Sequence, residues 1–257
     1  MVAEALGVTR ASRPCAWHSK GEKHWYCSVL FCGVARTGGT PVSQRGRLNR
    51  PYAMNPSLSA TGDDGRMTYV QFLRAYPEGA HLEWVQGRVI EMPMASARHQ
   101  DVGGFLLVLL RAFVEHHAAG RVFKRPFQMK VLPTVSRAPD LMIVRTNRLR
   151  LLRKYFLDGP ADLVVEVAGA NTCGIDRGDK FYEYEEGGVR EYWLIDPQRK
   201  RAEFYRLGRD KQFHAMETED GGIFRSVVLK GFWIRVEWLW QRPMPNELAV
   251  LRELRLV

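Results

Sequence analysis

No run of apolar residues in this 257-residue chain is long enough to cross a bilayer. The longest is Phe105-Leu106-Leu107-Val108-Leu109-Leu110, far short of the roughly 20 residues a spanning helix needs. The N-terminus also lacks the continuous apolar segment of a secretory signal. A membrane is therefore not an expected partner. Cysteine is scarce: the four residues show no framework spacing, which suits a reducing cytoplasm. Acidic residues are outnumbered, 28 Asp and Glu against 38 Lys and Arg, for a net charge of +10. That excess favours an anionic partner such as nucleic acid and says nothing about fold. No internal repeat is visible.

What is present is a sizeable core. Hydrophobic residues make up 46% of the chain, with 12 Phe, 9 Tyr and 7 Trp, enough for one large domain. Residues 1–66 differ from the rest. They are rich in Gly, Ser, Thr, Arg and Pro and lack sustained periodicity, so they read as disordered. An alternative is that the true start lies at Met54 or Met67 and the upstream stretch is a mis-called extension. Cys15-x2-His18 and His24-x2-Cys27 are zinc-ligand residue types. The five residues between the two pairs are too few for a finger, whose halves stand about a dozen apart. The charge excess is split evenly. Residues 1–66 hold nine Lys and Arg against four Asp and Glu, and residues 67–257 hold 29 against 24.

From Met67 the punctuation becomes clear. Thr68 can cap a short helix to Tyr76, which Pro77-Glu78-Gly79 ends. Residues 81–85 and 88–92 read as a hairpin around Gln86-Gly87. A helix is expected from Ala97 to Ala118, with Gly120 as its stop. Strands follow near 121–125, 127–132, 139–144 and 162–168. A helix near 174–186 and strands near 190–195, 201–206, 211–216 and 224–229 complete the core. The boundaries expected are 67–240 for a single domain and 241–257 for a tail with a short helix.

Two carboxylates break this apolar pattern. Asp140 follows Pro139 and opens Asp140-Leu141-Met142-Ile143-Val144, and Glu166 lies inside Leu163-Val164-Val165-Glu166-Val167. Both runs read as buried strands. A carboxylate there is costly unless something pairs it. Two on strands that can be neighbours point to one shared divalent cation, and oxygen ligands favour Mg²⁺. Lys180, on the helix near 174–186, supplies a cation near the same place. Two acids, a metal and a lysine suit the cutting of a phosphodiester. Taken singly, each residue has a plainer reading: Pro-Asp as a strand start, Glu166 as an ion-paired residue, Lys180 as a solvated lysine beside Asp176, Asp179 and Glu183.

Order and spacing carry more than any single residue. From about Met67 to Leu239 the chain resembles the Uma-type restriction endonucleases, a branch of the PD-(D/E)XK nuclease superfamily. The matching pieces are Met67-Thr68-Tyr69 with Phe72-Leu73, His81 through Gly87, Met92-Pro93 and Arg98-His99-Gln100. Pro139-Asp140, Glu166-Val167, Asp176 through Lys180 and Gly188 through Pro197 follow. The resemblance implies an α/β (α+β) restriction-endonuclease-like core, with a central mixed β-sheet flanked by helices. It implies that Asp140 and Glu166, with the main-chain carbonyl of Val167, bind Mg²⁺ or Mn²⁺. It implies that Lys180 is the catalytic lysine, because the standard place two residues after the second acid is here Ala168. Glu83 resembles an additional acid near the metal, and His99 the histidine that opens the long helix. The chain has Gln86-Gly87-Arg88 where the family usually has Asp-Gly-Glu, and Gly169-Ala170-Asn171 where it usually has Ser-Pro-Ser.

The expected activity is metal-dependent hydrolysis of nucleic acid, DNA in the first instance, in the cytoplasm, with a homodimer compatible. The alternative is a catalytically silent nuclease-fold module that binds nucleic acid or protein. Gly174-x3-Gly178-x-Lys180 is not a phosphate loop, because its spacing is wrong and no Ser or Thr follows the lysine. Cys173 has no His pattern to make it a nucleophile. Tyr184 and Tyr192 read as core.

Overall fold

The computed structural model describes residues 65–76, 79–169 and 178–257. All of them fall in one compact unit, Ala53–Val257. The Cys15, His18, His24 and Cys27 group, Cys173, and the first part of the expected 174–186 helix lie outside the described residues.

Helix α1 spans Tyr69–Ala75. Thr68 caps it: its hydroxyl accepts from the Gln71 N–H at 3.3 Å, and the Gln71 side chain accepts from the Thr68 N–H at 2.7 Å. This reciprocal pairing satisfies two of the helix's orphan donors. Strands β1 (Leu82–Val85) and β2 (Arg88–Glu91) form the expected hairpin. Gln86 and Gly87 both take positive φ, 50° and 87°, as a two-residue turn matched to strand twist requires.

Helix α2 spans Ala97–His116 and buries Val102, Phe105, Leu106, Leu109, Leu110, Phe113 and Val114. The spacing of three and four makes one apolar face. The helix ends earlier than expected, and Gly120 is not its stop. Ala118 turns the chain at φ 48°, and Gly120 opens β3 at φ 153°. A Cβ at Gly120 would lie 2.1 Å from the Val144 carbonyl oxygen. The glycine is required by close strand pairing.

Strands β3 (Gly120–Lys124), β4 (Gln128–Leu132), β5 (Val135–Arg137), β6 (Leu141–Arg145), β7 (Phe156–Leu157) and β8 (Leu163–Val167) follow. Helix α3 (Asp179–Gly187) leads to β9 (Glu191–Asp196), β10 (Arg201–Leu207), β11 (Phe213–Met216), β12 (Ile223–Arg225) and β13 (Trp233–Arg235). Helix α4 (Glu247–Glu253) closes the chain. β5, β7 and β13 were not expected; at two or three residues each they are too short to show a period. The expected strand at 224–229 stops at Arg225, because residues 226–229 turn around the buried Glu191. Its carboxylate accepts from the N–H groups of Val227 and Val228 and from the Ser226 hydroxyl.

Two sheets form. One has the order β2-β1-β5-β4-β7 and the other β11-β10-β9-β8-β6-β3. In the six-stranded sheet only β8 and β9 run parallel, joined by α3. Alternation divides its two faces. Leu141, Ile143, Leu163, Val165, Val167, Trp193 and Ile195 pack with α2, and α4 adds Val250 and Leu251 to that cluster. Met142, Val144, Val164, Ala168, Tyr192 and Leu194 pack on the other face with Tyr184 of α3. Residues Ala138 to Asp140 carry the chain from β5 in one sheet to β6 in the other. The site lies at that crossing.

Candidate active site

Glu166 shares its strand face with Val164 and Ala168, so it points toward α3. Asp140 stands at the mouth of the neighbouring strand β6. One Arg125 guanidinium nitrogen lies 2.5 Å from Asp140 Oδ1 and 4.0 Å from Glu166 Oε2. The two carboxylates therefore share a cation and lie on the same side of the sheet. Opposite faces, which would have dissolved the constellation, are excluded.

Asp140 is held from three sides. His99 Nε2 lies 2.9 Å from Oδ1, and the Val167 N–H donates to Oδ2 at 2.8 Å. His99 reaches it because Ser96 caps α2 and sets the first turn, accepting from the His99 N–H at 3.2 Å. Burial pushes the Asp140 carboxyl up; the His99 hydrogen bond, the Arg125 charge and the Val167 N–H outweigh it, so the net pKa is below the usual carboxylate range.

Lys180 is fully buried, so its reading as a solvated lysine is wrong. The first turn of α3 drives it inward, and Tyr184 follows one turn later on the same face. Its ammonium lies 3.1 Å from Glu166 and 3.3 Å from Glu83. The Tyr184 hydroxyl donates to the same Glu166 oxygen at 2.7 Å. Burial, then the neighbouring carboxylates, raise the Tyr184 pKa well above 10, so it stays a donor. Glu83, wholly buried on β1, also accepts from Arg137 at 2.8 Å and from the Ala138 N–H at 3.2 Å. Burial raises its pKa, but Lys180 and Arg137 prevail and the net shift is downward. Arg137 continues outward, donating to both oxygens of Glu183 at 2.6 and 2.8 Å.

Lys180 thus ties the β1 carboxylate in one sheet to the β8 carboxylate in the other. Glu83, Asp140, Glu166, Glu183, Lys180, Arg125, Arg137 and His99 form one largely buried chain in which acidic and basic side chains alternate. Lys180 touches Glu166 and Glu83; Asp140 is met by Arg125 and His99.

A family model described as "Putative restriction endonuclease", Uma2, matches residues 69–237, well over half of the chain. The chain belongs to the Uma2 family. A solved structure described as a "putative nuclease belonging to DUF820" from Anabaena variabilis aligns with this Uma2 protein at a TM-score of 0.58. Identity is 16%, and the alignment covers 68% of this chain and 97% of that one. At that identity the likeness shows the nuclease fold alone. No curated protein matches the sequence.

The sequence pattern of this Uma2 chain did not disclose Arg125, Arg137, Glu183 or the hydrogen bond of Tyr184. Arg137 had a usable signal, since it stands three residues before Asp140 in an otherwise apolar stretch. Glu183 and Tyr184 are three and four residues after Lys180, the spacing of helical neighbours. Arg125 had none, because the β3–β4 connection brings it in from a distance.

Proposed function

We propose that this Uma2 protein is a metal-dependent endonuclease that hydrolyses phosphodiester bonds of DNA. The supporting observation is the pair Asp140 and Glu166, buried side by side on adjoining strands, with the buried Lys180 ammonium on Glu166.

The residues suit a hard divalent ion. Their donors are carboxylate oxygens, and the Arg125 guanidinium already holds positive charge between them. Among the described residues no group of three or more His, Cys, Asp or Glu is arranged to hold a metal. Mg²⁺ needs no such cage, because it keeps several waters and uses one or two carboxylates. Asp140, Glu166 and the Val167 carbonyl would hold Mg²⁺ or Mn²⁺. When bound, the ion supplies Lewis acidity and lowers the pKa of a coordinated water.

The chain's own groups do the rest. His99 and the Val167 N–H fix the Asp140 carboxylate, so its orientation is set before substrate arrives. Lys180 holds a proton at Nζ beside Glu166, where it orients the attacking water or offsets charge growing on the phosphoryl oxygens. Tyr184 keeps one Glu166 oxygen hydrogen-bonded, and Glu83 keeps Lys180 in place. Low local dielectric makes these fixed charges more effective than they are in water.

The test is cleavage of supercoiled plasmid by wild type, Asp140→Asn and Lys180→Ala, with Mg²⁺, Mn²⁺ or chelator. Cleavage should need the metal and fail in Asp140→Asn. Cleavage that survives both chelator and Asp140→Asn refutes the reading. A second reading, the silent nuclease-fold module, draws support from Arg125, which neutralises the acid pair without a metal. Calorimetric titration with Mn²⁺ separates the two: a silent module binds none at the Asp140–Glu166 pair.

A further inference from the structure

Beside this site opens a cavity of about 430 Å³, within the ~300–1,000 Å³ typical of small-ligand pockets. Its apolar wall is Val85 of β1, Ile90 of β2 and Met92 just beyond. Helix α3 supplies the opposite wall with Asp179, Tyr182 and Glu183. The spacing of three and four puts these on one helix face, away from the buried face of Lys180 and Tyr184. Glu83 and Arg137 join the cavity to the site.

The electrostatics reject a phosphate here. The lining carries three carboxylates and one guanidinium. Arg137 is already engaged by Glu83 and Glu183, so no cation in the lining is left over for an anion. Asp179 is exposed at the rim, and Gln86 projects from the β1–β2 turn. Tyr182 is 63% exposed, and its ring meets Phe181 edge-on at 5.5 Å. An apolar wall, an open aromatic ring, a carboxylate acceptor and an amide fit a flat, neutral ring that bears an amine. A nucleobase is such a ring. Carboxylates accept from the cytosine amine, and every base offers a face for an aromatic to stack on.

We propose that this cavity receives one unpaired nucleobase next to the scissile phosphodiester, with cytosine or adenine favoured by Asp179. The proposal rests on the endonuclease reading and narrows its substrate. Extrusion of a base from a duplex costs a few kcal/mol, least where the base is already unpaired. Single-stranded, bulged or mismatched DNA is then the preferred substrate.

The test is fluorescence anisotropy with the full chain in chelator, so that nothing is cut. The probes are labelled duplexes with a central unpaired cytosine, an unpaired thymine or an abasic site. Wild type should bind the cytosine duplex about tenfold or more tighter than the abasic one, in line with stacking of one base on an aromatic. Tyr182→Ala should erase that preference, and its exposed position means the fold is kept. Asp179→Asn should retain base over abasic but lose cytosine over thymine. Equal wild-type affinity for base-bearing and abasic duplexes overturns the pocket and leaves the endonuclease reading standing, as does a preference unchanged in Tyr182→Ala. No binding to any of the duplexes also overturns the pocket, and the endonuclease reading then stands or falls on the plasmid assay alone.

Discussion

Lys180→Ala tests more than catalysis, because the structure makes the residue a structural tie as well. The ammonium is fully buried between Glu166 at 3.1 Å and Glu83 at 3.3 Å. Its removal leaves two buried carboxylates with less compensation. Breaking a buried ion pair by deleting one partner costs about 3–5 kcal/mol. Arg137 still holds Glu83 and Tyr184 still donates to Glu166, so the lower end of that range is expected, about 3 kcal/mol. Lys180→Ala should therefore lose stability as well as rate. The rate of metal-dependent plasmid cleavage, measured where the variant is still folded, should fall roughly 100-fold or more, as loss of one preorganised charge does. Glu83→Gln/Lys180→Ala separates the two effects. With one acid neutralised it should regain part of the lost stability and none of the lost rate. Lys180→Arg should not restore the rate fully, because its larger planar fork does not place a compact charge where the ammonium stood. A wild-type rate in Lys180→Ala removes the lysine from the mechanism. Unchanged urea stability in that variant refutes the tie between the sheets.

Three further outcomes follow from the same geometry. Arg125→Ala should raise Mn²⁺ affinity about tenfold or more in calorimetry, because the guanidinium competes for the acid pair; equal affinity would refute that competition. The lowered pKa of Glu83 means its contribution is fully present above the ordinary carboxylate pKa of about 4.3 and is lost as pH falls through its folded value. Glu83→Gln should therefore be less stable at neutral pH and lose less on acidification, as followed by Tm against pH. Gly120→Ala should destabilise by about 3 kcal/mol or more in urea melts, because φ is 153° and the added Cβ meets the Val144 carbonyl oxygen.

The parts of the fold that were legible are those in which a local rule has a single outcome. Thr68 with Gln71 makes a capping box, Gln86-Gly87 a tight hairpin, and the spacing from Val102 to Val114 an amphipathic helix. Each is decided within a few residues. The boundary at Gly120 was misjudged because a glycine after a helix and a glycine at a crowded strand crossing look alike in sequence; only the carbonyl of Val144 tells them apart. β5, β7 and β13 were invisible for a related reason. A strand of two or three residues exists because a longer neighbour supplies its partners, and that information lies elsewhere in the chain.

The site divides along the same line. Asp140 and Glu166 stood out because a carboxylate inside an apolar strand is costly to bury unless something pairs it, whereas Glu83 entered only through the family resemblance. Their cations did not, because an arginine in a basic chain needs none. Yet burial of Glu83, Asp140 and Glu166 is tolerable only if positive charge arrives from other elements: Arg125 from the β3–β4 connection, Arg137 from β5, Lys180 from α3. The break between β5 and β6 makes this arrangement possible. Ala138 and Pro139 move the chain from one sheet to the other, so Arg137 faces Glu83 and Glu183 while Asp140, three residues on, faces His99 and Arg125. Lys180 then spans the gap between the two carboxylate groups. A buried acid in a strand is thus a request for partners that the strand itself cannot name. The strand sequence located the acids, and the crossing of two sheets determined which cations reach them.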